Sequence, residues 1–304
     1  MSDWLQRVCP LCTSDEIVVG SEVKAPYEAD VMTFSEVAEF WRGFRKDSCF
    51  FTFSRCAGCG LLYCRNYFTN DQLTSLYTSM GDNSAGVADA VLERTQRGYY
   101  NFLDKVGYSK SGNYLELGPD TGLLSKNFAA FGASKMTLIE PNHDVRDQLR
   151  ASTSECNRVE ILDDLSDIAA ENVFDTITGI HVYDHLVKLR EELSVISKLA
   201  NSNSRILIVV HDESSLLRRL INTKWPPFCL QHPQLFNPST IEKALLQAGF
   251  HEIEIAKSTN WFPITHIWKM VCSLFGIRGD WLTILPKTEI PLRLGNMIIV
   301  AQKA

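Results

Sequence analysis

Short apolar runs, separated by amphipathic stretches, fill the chain from about residue 86 to its end. The runs "YLEL", "KMTLIE", "RVEIL", "VFDTITGI" and "RILIVV" have the length and β-branched content of buried strands. The segments between them, such as "LREELSVISKLA", repeat apolar residues at helical spacing. Two further runs, "HEIEIAKS" and "LGNMIIVAQK", close the chain. The pattern predicts strands and helices in alternation.

The first eighty residues follow a different pattern. "EIVVG" and "CFFTFSR" are predicted as strands from their β-branched and aromatic content. "TFSEVAEFWRGF" has a helical apolar rhythm, with Ser35 as the expected N-cap. The change in pattern predicts a small N-terminal domain over 1–80 and a larger domain over 81–304.

Two CxxC pairs lie in this N-terminal region, and their four cysteines are Cys9, Cys12, Cys56 and Cys59. Two such pairs supply four thiolates, the ligand set of a closed structural zinc site. Such a site stabilises a domain that is too small to fold alone, and it does no chemistry. The alternative is a group of buried free thiols, because cysteine is often a small core residue.

Neighbouring residues support the zinc reading. Gly58 and Gly60 allow the tight turn and supply backbone N–H groups to the thiolates. Cys49 and Cys64 are close enough in sequence to be alternative ligands, but we expect them in the core. No secretory signal is visible, so the chain is expected to be cytoplasmic. Nine cysteines are many for a reducing compartment, which indicates that some have a role other than disulfide formation.

Charge and hydropathy exclude several classes of protein. The net charge is -6 with acidic and basic residues interspersed, so nucleic acid is an unexpected main partner. The most apolar late segment, "WFPITHIWKMVCSLFGI", is interrupted by His266 and Lys269. It is also shorter than the roughly 20 residues of a membrane span, so no transmembrane segment is expected.

The strand "YLEL" runs into a turn that contains Gly118 and Gly122, and a helix follows. This arrangement lets backbone N–H groups approach a polar or anionic cofactor. Glu140 ends the next strand, about 20 residues later, where an acidic side chain accepts hydrogen bonds from ribose hydroxyls. The glycine spacing differs from the G-x-G-x-x-G of dinucleotide sites, because Asp120 and Leu123 interrupt it.

The stretch "LELGPDTG" resembles motif I of class I S-adenosylmethionine-dependent methyltransferases, with Asp120 in place of the second glycine. The order of the later strands and helices is similar to that family over about residues 86 to 304. The resemblance implies an α/β fold with a seven-stranded Rossmann-like sheet whose last strand is antiparallel. It also implies S-adenosylmethionine as cofactor, with a binding set of Glu116, Gly118, Pro119, Asp120, Gly122, Glu140, Pro141, Asp163, Asp164 and His181. Asp163 and Asp164 are alternatives for the contact with the adenine.

Two further stretches extend the resemblance. "HVYDH" is similar to the "HxxEH"-like segment after the fourth strand, with Asp184 in place of the glutamate. "RCAGCGLLYCRNYFTNDQLTSLY" resembles the zinc-binding N-terminal region of a bacterial subgroup that includes sugar C-methyltransferases and polysaccharide-cluster relatives. This implies a sugar, nucleotide-sugar or glycan terminus as acceptor.

Methyl transfer from a sulfonium requires alignment of the acceptor and removal of its proton. Imidazole, with a pKa of about 6.5, suits deprotonation of a hydroxyl or an acidic carbon. We expect these groups at the carboxyl ends of the strands and in the loop "PPFCLQHPQLF". The candidates for catalysis are His232, His181, Tyr183 and His185.

Other readings stay open from the sequence alone. His211, Asp212 and Glu213 together permit a magnesium-assisted O-methyltransferase, although consecutive residues of a strand point to opposite faces, so the three can ligate one ion only if the strand bends. The N-terminal zinc region also permits an RNA methyltransferase, and the altered glycine turn permits a non-catalytic cofactor-binding scaffold.

The segment 257–292 is expected to form a helical insertion that contains Trp261, Trp268 and Trp281. Its apolar residues predict either packing onto the core or the interface of a homodimer.

Overall fold

The computed structural model describes residues 4–41, 49–78, 89–169, 171–274 and 288–304. By their mutual contacts the residues form two compact units. Unit 1 comprises Met1–Ala85, His181–Ser194 and Val210–Ala248. Unit 2 comprises Gly86–Ile180, Val195–Val209 and Gly249–Ala304. The predicted boundary between 80 and 81 lies outside the described residues and stays a prediction.

The helices and strands have the following bounds. The strands are β1 (Leu5–Gln6), β2 (Tyr27–Glu28), β3 (Cys49–Phe50), β4 (Phe53–Arg55), β5 (Leu62–Cys64), β6 (Asn66–Tyr67), β7 (Asn113–Leu117), β8 (Lys135–Ile139), β9 (Val159–Leu162), β10 (Phe174–Ile180), β11 (Ala200–His211), β12 (Gln234–Leu235), β13 (Phe250–Lys257), β14 (Asn260–Pro263), β15 (Glu289–Leu292) and β16 (Asn296–Lys303). The α-helices are α1 (Phe34–Ala38), α2 (Asn70–Thr78), α3 (Asp89–Val106), α4 (Ser125–Ala130), α5 (Arg146–Ser152), α6 (Leu189–Leu199), α7 (Leu216–Ile221), α8 (Pro238–Gln247) and α9 (Ile264–Leu274).

A seven-stranded sheet in the order β13-β16-β11-β10-β7-β8-β9 forms the centre of unit 2. Strands β7 to β11 pair in parallel, with Leu117 opposite both Ile139 and Gly179. The last strand, β16, is antiparallel to β13. The predicted α/β fold with a reversed last strand is therefore confirmed.

The central strands β7, β8 and β10 are almost continuously buried, as in parallel sheets that are covered on both faces. One aliphatic and aromatic cluster packs α3 and α4 against β7, β8, β11 and β16. Within it, the rings of Tyr114 and Phe128 stack with their centroids 4.0 Å apart. This packing fixes the position of the turn that follows β7.

Unit 1 contains shorter strands and an aromatic core. Its small sheets are β1-β6, β2-β3 and β12-β5-β4. The predicted strand "CFFTFSR" is interrupted and forms β3 and β4, whereas "EIVVG" contributes only an isolated bridge between Ile17 and Cys56. The N-cap of α1 is Thr33 rather than Ser35, because the Thr33 hydroxyl and the Glu36 carboxylate form a reciprocal capping box.

Among its described residues, the segment predicted as a helical insertion contains α9 and two strands, β14 and β15, that pair in antiparallel fashion. The Arg94 guanidinium of α3 lies 3.3 Å from the ring centroid of Trp261. Trp281 lies outside the described residues. Among the described helices, none has the length and apolarity needed to cross a membrane.

Candidate functional site

The four predicted zinc ligands lie together in unit 1. The sulfur atoms of Cys9, Cys12, Cys56 and Cys59 are all within 4.8 Å of one another. The closest pairs are Cys12–Cys56 at 3.4 Å and Cys9–Cys59 at 3.5 Å. A tetrahedral zinc ion with bonds of about 2.3 Å places its sulfurs roughly 3.8 Å apart, so the cluster has the size of a Cys₄ site.

Local turns create this cluster. The amide of Thr13 donates to the Cys9 carbonyl, and the amide of Gly60 donates to the Cys56 carbonyl. Gly60 has a φ of 87°, a conformation that favours glycine. A Cβ on Gly58 would lie 3.3 Å from the Cys12 sulfur, so the lack of a side chain there lets the two pairs approach.

The turn after β7 is the centre of the predicted cofactor site in unit 2. Gly118 and Asp120 both have positive φ, 61° and 52°, which bends the backbone away from the sheet. This directs the Asp120 amide to Oε2 of Glu140, at 2.8 Å. The Asn142 amide donates to Oε1 of the same carboxylate, also at 2.8 Å. Burial raises the pKa of Glu140, and these two N–H groups act against that shift.

Glu116 differs from Glu140 in its surroundings. Its side chain is 1% exposed and accepts hydrogen bonds from the hydroxyls of Tyr114 and Ser125. Burial raises the pKa of Glu116 to about 7, against the effect of those two donors. Its part in cofactor binding stays a prediction, and its observed role is to link β7 to the start of α4.

The remaining residues of the predicted cofactor set surround these turns. The carbonyl of buried Pro119 accepts the Gly122 amide, whereas Pro141 is exposed. Asp163, 59% exposed, pairs with Arg146, whose guanidinium also donates to the Glu140 carbonyl. Asp164 caps the turn after β9 by accepting from the amide and hydroxyl of Ser166. Both aspartates have protein partners, so the choice between them stays open.

All four histidines predicted or considered for the acceptor side belong to unit 1 and form one group, which we call the histidine cluster: His181, His185, His211 and His232, with Asp184. His181 follows β10 and His211 ends β11, two neighbouring parallel strands. The centroids of these two rings are 4.5 Å apart. The ring of His232 lies 4.9 Å from His211 and 4.7 Å from His185.

Asp184 fixes His211. Its Oδ2 lies 2.7 Å from the His211 ring Nδ1 and accepts the His211 amide at 3.1 Å. The carboxylate has no exposed surface, and burial raises its pKa to about 6. The sequence comparison treats Asp184 only as a replacement for glutamate, so the pair with His211 was missed. Both residues lie near the carboxyl ends of adjacent parallel strands, Asp184 four residues beyond β10 and His211 at the end of β11, and that shared position is the signal that could have found the pair.

Burial also sets the charges of the imidazoles. It lowers the pKa of His181 to about 3, and it lowers the pKa values of His185 and His211 as well. Burial acts in the same direction on His232, but the neighbouring Cys229 thiolate raises the pKa of that ring to about 9. Three imidazoles of the cluster are therefore neutral at pH 7, and His232 is the one that holds a second proton.

The loop that carries His232 supplies these partners. Its Nδ1 lies 2.7 Å from the Pro227 carbonyl and 3.4 Å from the Cys229 sulfur. Tyr183 is fully buried, and its hydroxyl has no hydrogen-bond partner among the described residues. Asp212 and Glu213, considered with His211 for magnesium, point elsewhere: Asp212 accepts from Ser214, and Glu213 pairs with Arg55. Within the described part of the chain, these three residues do not form a metal-binding group.

A family model described as a methyltransferase domain matches residues 91–255. No curated protein matches the sequence significantly.

Several solved structures resemble the chain. One is a methyltransferase from Thermotoga maritima, described as a possible histamine N-methyltransferase, at 14% identity over 71% of this chain and 91% of that chain, with a TM-score of 0.47. Another is the N-methyltransferase NodS from Bradyrhizobium japonicum in complex with S-adenosyl-L-homocysteine, at 12% identity over 69% and 86%, with a TM-score of 0.46. A third is human N-acetylserotonin methyltransferase in complex with S-adenosylmethionine, at 16% identity over 71% and 55%, with a TM-score of 0.46.

The family match, unlike these remote structural likenesses, covers more than half of the chain. The predicted enzyme class is therefore confirmed: the chain belongs to this methyltransferase-domain family.

Proposed function

We propose that the protein transfers a methyl group from S-adenosylmethionine to a small carbohydrate acceptor: a sugar, a nucleotide-sugar or a glycan terminus. The observation that supports this choice of cofactor is the bent turn after β7, in which the Asp120 amide donates a hydrogen bond to the Glu140 carboxylate. When bound, the cofactor supplies an activated methyl group on a sulfonium.

The donor set at this turn fits the adenosyl part of the cofactor. Each oxygen of Glu140 accepts one backbone N–H and keeps a second lone pair for a ribose hydroxyl. Glu140 would hold the ribose, the exposed Gly118 and Asp120 would approach it with their backbone, and Asp163 or Asp164 would meet the adenine. The arrangement serves a single nucleoside, since it lacks the glycine spacing that brings backbone close to a pyrophosphate.

The histidine cluster supports an acceptor that must lose a proton. An imidazole of this cluster takes that proton, and in this proposal Tyr183 and His181 border the acceptor. His185 is the ring that can accept the proton, because its pKa is lowered and Asp184 occupies Nδ1 of His211. His232 already holds a second proton, and its Nδ1 faces the Pro227 carbonyl, so its Nε2–H would donate a hydrogen bond to the acceptor.

The carbohydrate class rests on the resemblance of the N-terminal region to that of sugar methyltransferases and on the negative net charge. In that reading the Cys₄ cluster holds zinc, which stabilises unit 1 and takes no part in the reaction, because all four positions are sulfur.

Calorimetric titration with S-adenosylmethionine tests the cofactor assignment. We expect binding by the wild type and at least tenfold weaker binding by Glu140→Ala, with Glu155→Ala, an exposed carboxylate of the same unit, as the matched control. Equal affinities for Glu140→Ala and the wild type would refute the ribose role. Binding of a nicotinamide dinucleotide instead of S-adenosylmethionine would refute the cofactor.

Labelled S-adenosylmethionine with a panel of sugars, nucleotide-sugars, oligosaccharides and RNA tests the acceptor. We expect label in a carbohydrate, and slower transfer by His185→Gln or His232→Gln at unchanged cofactor affinity. Transfer to RNA alone, with binding that falls steeply as salt rises, would reverse the assignment. Cofactor binding without transfer to any acceptor would favour a scaffold.

A further inference from the structure

Three members of the histidine cluster have the composition of a metal site. Each of His181, Asp184 and His211 offers a ligand atom, and these atoms all lie within 4.8 Å of one another. A first-row metal with bonds of about 2.1 Å places its ligand atoms roughly 3 to 3.5 Å apart. Side-chain rotations that move these atoms by about 1 Å would therefore bring all three into bonding distance of one ion. This group is separate from the four cysteines in composition and in sequence.

The Asp184 carboxylate provides a second, independent indication. It is completely buried, and Oδ2 already serves the amide and ring of His211. Its other oxygen, Oδ1, is also buried and has no hydrogen-bond partner among the described residues. A buried carboxylate oxygen without a donor is costly, and a cation at this position removes that cost.

The backbone at His181 supports the same conclusion. His181 has a φ of 55°, a left-handed conformation that is unfavourable for a residue with a side chain and that is concentrated at functional sites. Here it brings the His181 ring to 4.5 Å from the ring of His211, at an angle of 30°. The two rings thus lie close enough for one ion to be held between them.

We propose that His181, Asp184 and His211 form a second metal site, which binds a divalent first-row transition metal ion and offers its open coordination positions to a hydroxyl group of the acceptor. Two imidazoles and one carboxylate favour Zn²⁺, Co²⁺ or Mn²⁺ over Mg²⁺ and Ca²⁺, which prefer oxygen ligands. Three protein ligands leave positions open, in contrast with the closed Cys₄ cluster. The acceptor clause rests on the proposed function, whereas metal binding does not.

Titration of the purified, metal-depleted full-length protein with Co²⁺ tests the site, with Zn²⁺ as competitor. Visible absorption reports cobalt at nitrogen and oxygen ligands, and thiolate charge-transfer bands report cobalt at the cysteines. We expect two ions per chain in the wild type. The variants Asp184→Asn and His211→Gln should keep the thiolate bands and lose the second ion, with affinity there at least about tenfold weaker.

Controls separate loss of ligands from loss of fold. His251→Gln removes an exposed histidine of unit 2 and should keep both ions. Retained thiolate bands in the Asp184 and His211 variants show that unit 1 is folded. One ion per chain in the wild type, accompanied by thiolate bands alone, would overturn the proposal and leave the Asp184–His211 contact as a plain hydrogen bond. A second ion that persists in both variants would also overturn it.

Because no cofactor or acceptor is present in this experiment, its result is independent of the proposed function. Binding of S-adenosylmethionine without a second metal ion would refute only the metal site. A second metal ion without cofactor binding would refute only the proposed function.

Discussion

Each unit comprises three stretches of the chain, but unit 2 builds its core around one seven-stranded sheet, whereas the described part of unit 1 has only two- and three-stranded sheets. In unit 2 the central strands are short, almost continuously buried runs, and backbone hydrogen bonds join neighbouring strands. In unit 1 the core is dominated by large aromatic residues, among them Trp4, Phe51, Phe68, Trp225 and Phe228. The strands of a regular sheet can be predicted from local sequence patterns, whereas the contacts of an aromatic core between distant stretches of the chain cannot.

Side chains join the stretches of unit 1. The Arg7 guanidinium donates to the carbonyls of Cys64, Val187 and Pro233, at 3.0 to 3.2 Å. Each of these three acceptors lies in a different stretch of unit 1, so one side chain joins all three stretches. Individual side chains therefore have larger effects on unit 1 than on unit 2, where the sheet distributes its hydrogen bonds over many backbone groups.

The largest effect is expected from Cys56→Ala. If the cysteines hold zinc, the variant loses the ion and much of the stability of unit 1, because structural zinc contributes about 10 kcal/mol to small zinc domains. Metal analysis and hydrogen exchange of unit 1 measure the two effects. Cys49→Ala is the matched control, as it removes another buried thiol of unit 1 outside the cluster. The zinc assignment would be contradicted if the wild type contained no metal and its unit 1 were as well protected from hydrogen exchange as that of Cys49→Ala.

The next effect is expected from Arg55→Met. The guanidinium donates to both oxygens of Glu213, at 2.9 and 3.0 Å, and Glu213 is 4% exposed. Removal of one partner leaves a buried carboxylate with Asn237 as its remaining donor, so we expect a loss of about 3 kcal/mol in the free energy of unfolding of unit 1.

Denaturant-dependent hydrogen exchange measures that loss. Arg65→Met, at an exposed arginine of the same unit, should change stability by less than about 0.5 kcal/mol. The double variant Arg55→Met/Glu213→Gln should recover part of the loss, since the buried charge is then gone. Equal stability of Arg55→Met and Arg65→Met would show that the ion pair contributes nothing.

The same contrast explains how much the sequence predicts. The apolar runs predict the strands of unit 2, the family resemblance around Gly118 and along the later strands implies their arrangement, and the fold class is confirmed. The grouping of 181–194 and 210–248 with the N-terminal region follows from tertiary contacts that no local pattern records. The N-cap shifts from Ser35 to Thr33 because Thr33 has Glu36 three residues later, a capping-box signal that is present in the sequence.

The candidate site divides in the same way. The four cysteines converge as their spacing predicts. The contact of Asp184 with His211 spans two strand ends, and only the order of β10 and β11 in the sheet brings them together. The pKa of His232 is raised by its neighbour Cys229 against the effect of burial, and composition gives neither influence.

In unit 2 a buried titratable group gives a smaller effect that depends on pH. The folded pKa of Glu116, about 7, lies above its ordinary value of 4.5, so the folded state binds more protons between these values. Stability therefore falls as pH rises through this window. Glu116→Gln removes that dependence, and its stability relative to the wild type should increase by about 2 to 3 kcal/mol from pH 5 to pH 8. Urea unfolding at the two pH values, followed by hydrogen exchange in unit 2, measures this change in relative stability. If the stability difference between Glu116→Gln and the wild type were the same at pH 5 and pH 8, Glu116 would not be a buried neutral carboxyl.

The smallest effect separates backbone strain from packing at the glycine turn. Gly122 has a φ of 81°, and a Cβ there would lie 2.7 Å from Leu149 Cδ1 and 3.1 Å from Ser152 Cβ. Gly132 has a φ of 101° with no atom within 4 Å of such a Cβ. Both alanine variants carry the cost of positive φ, about 1 kcal/mol. Gly122→Ala adds overpacking against the fully buried Leu149, so we expect it to be less stable than Gly132→Ala by a further 1 to 2 kcal/mol, roughly.

Gly122→Ala should also weaken S-adenosylmethionine binding, because the turn must shift to relieve the contact, whereas Gly132→Ala should leave affinity unchanged. Equal losses of stability in the two variants would mean that the turn can accommodate a side chain at position 122. Gly122 would then be required only for its backbone conformation.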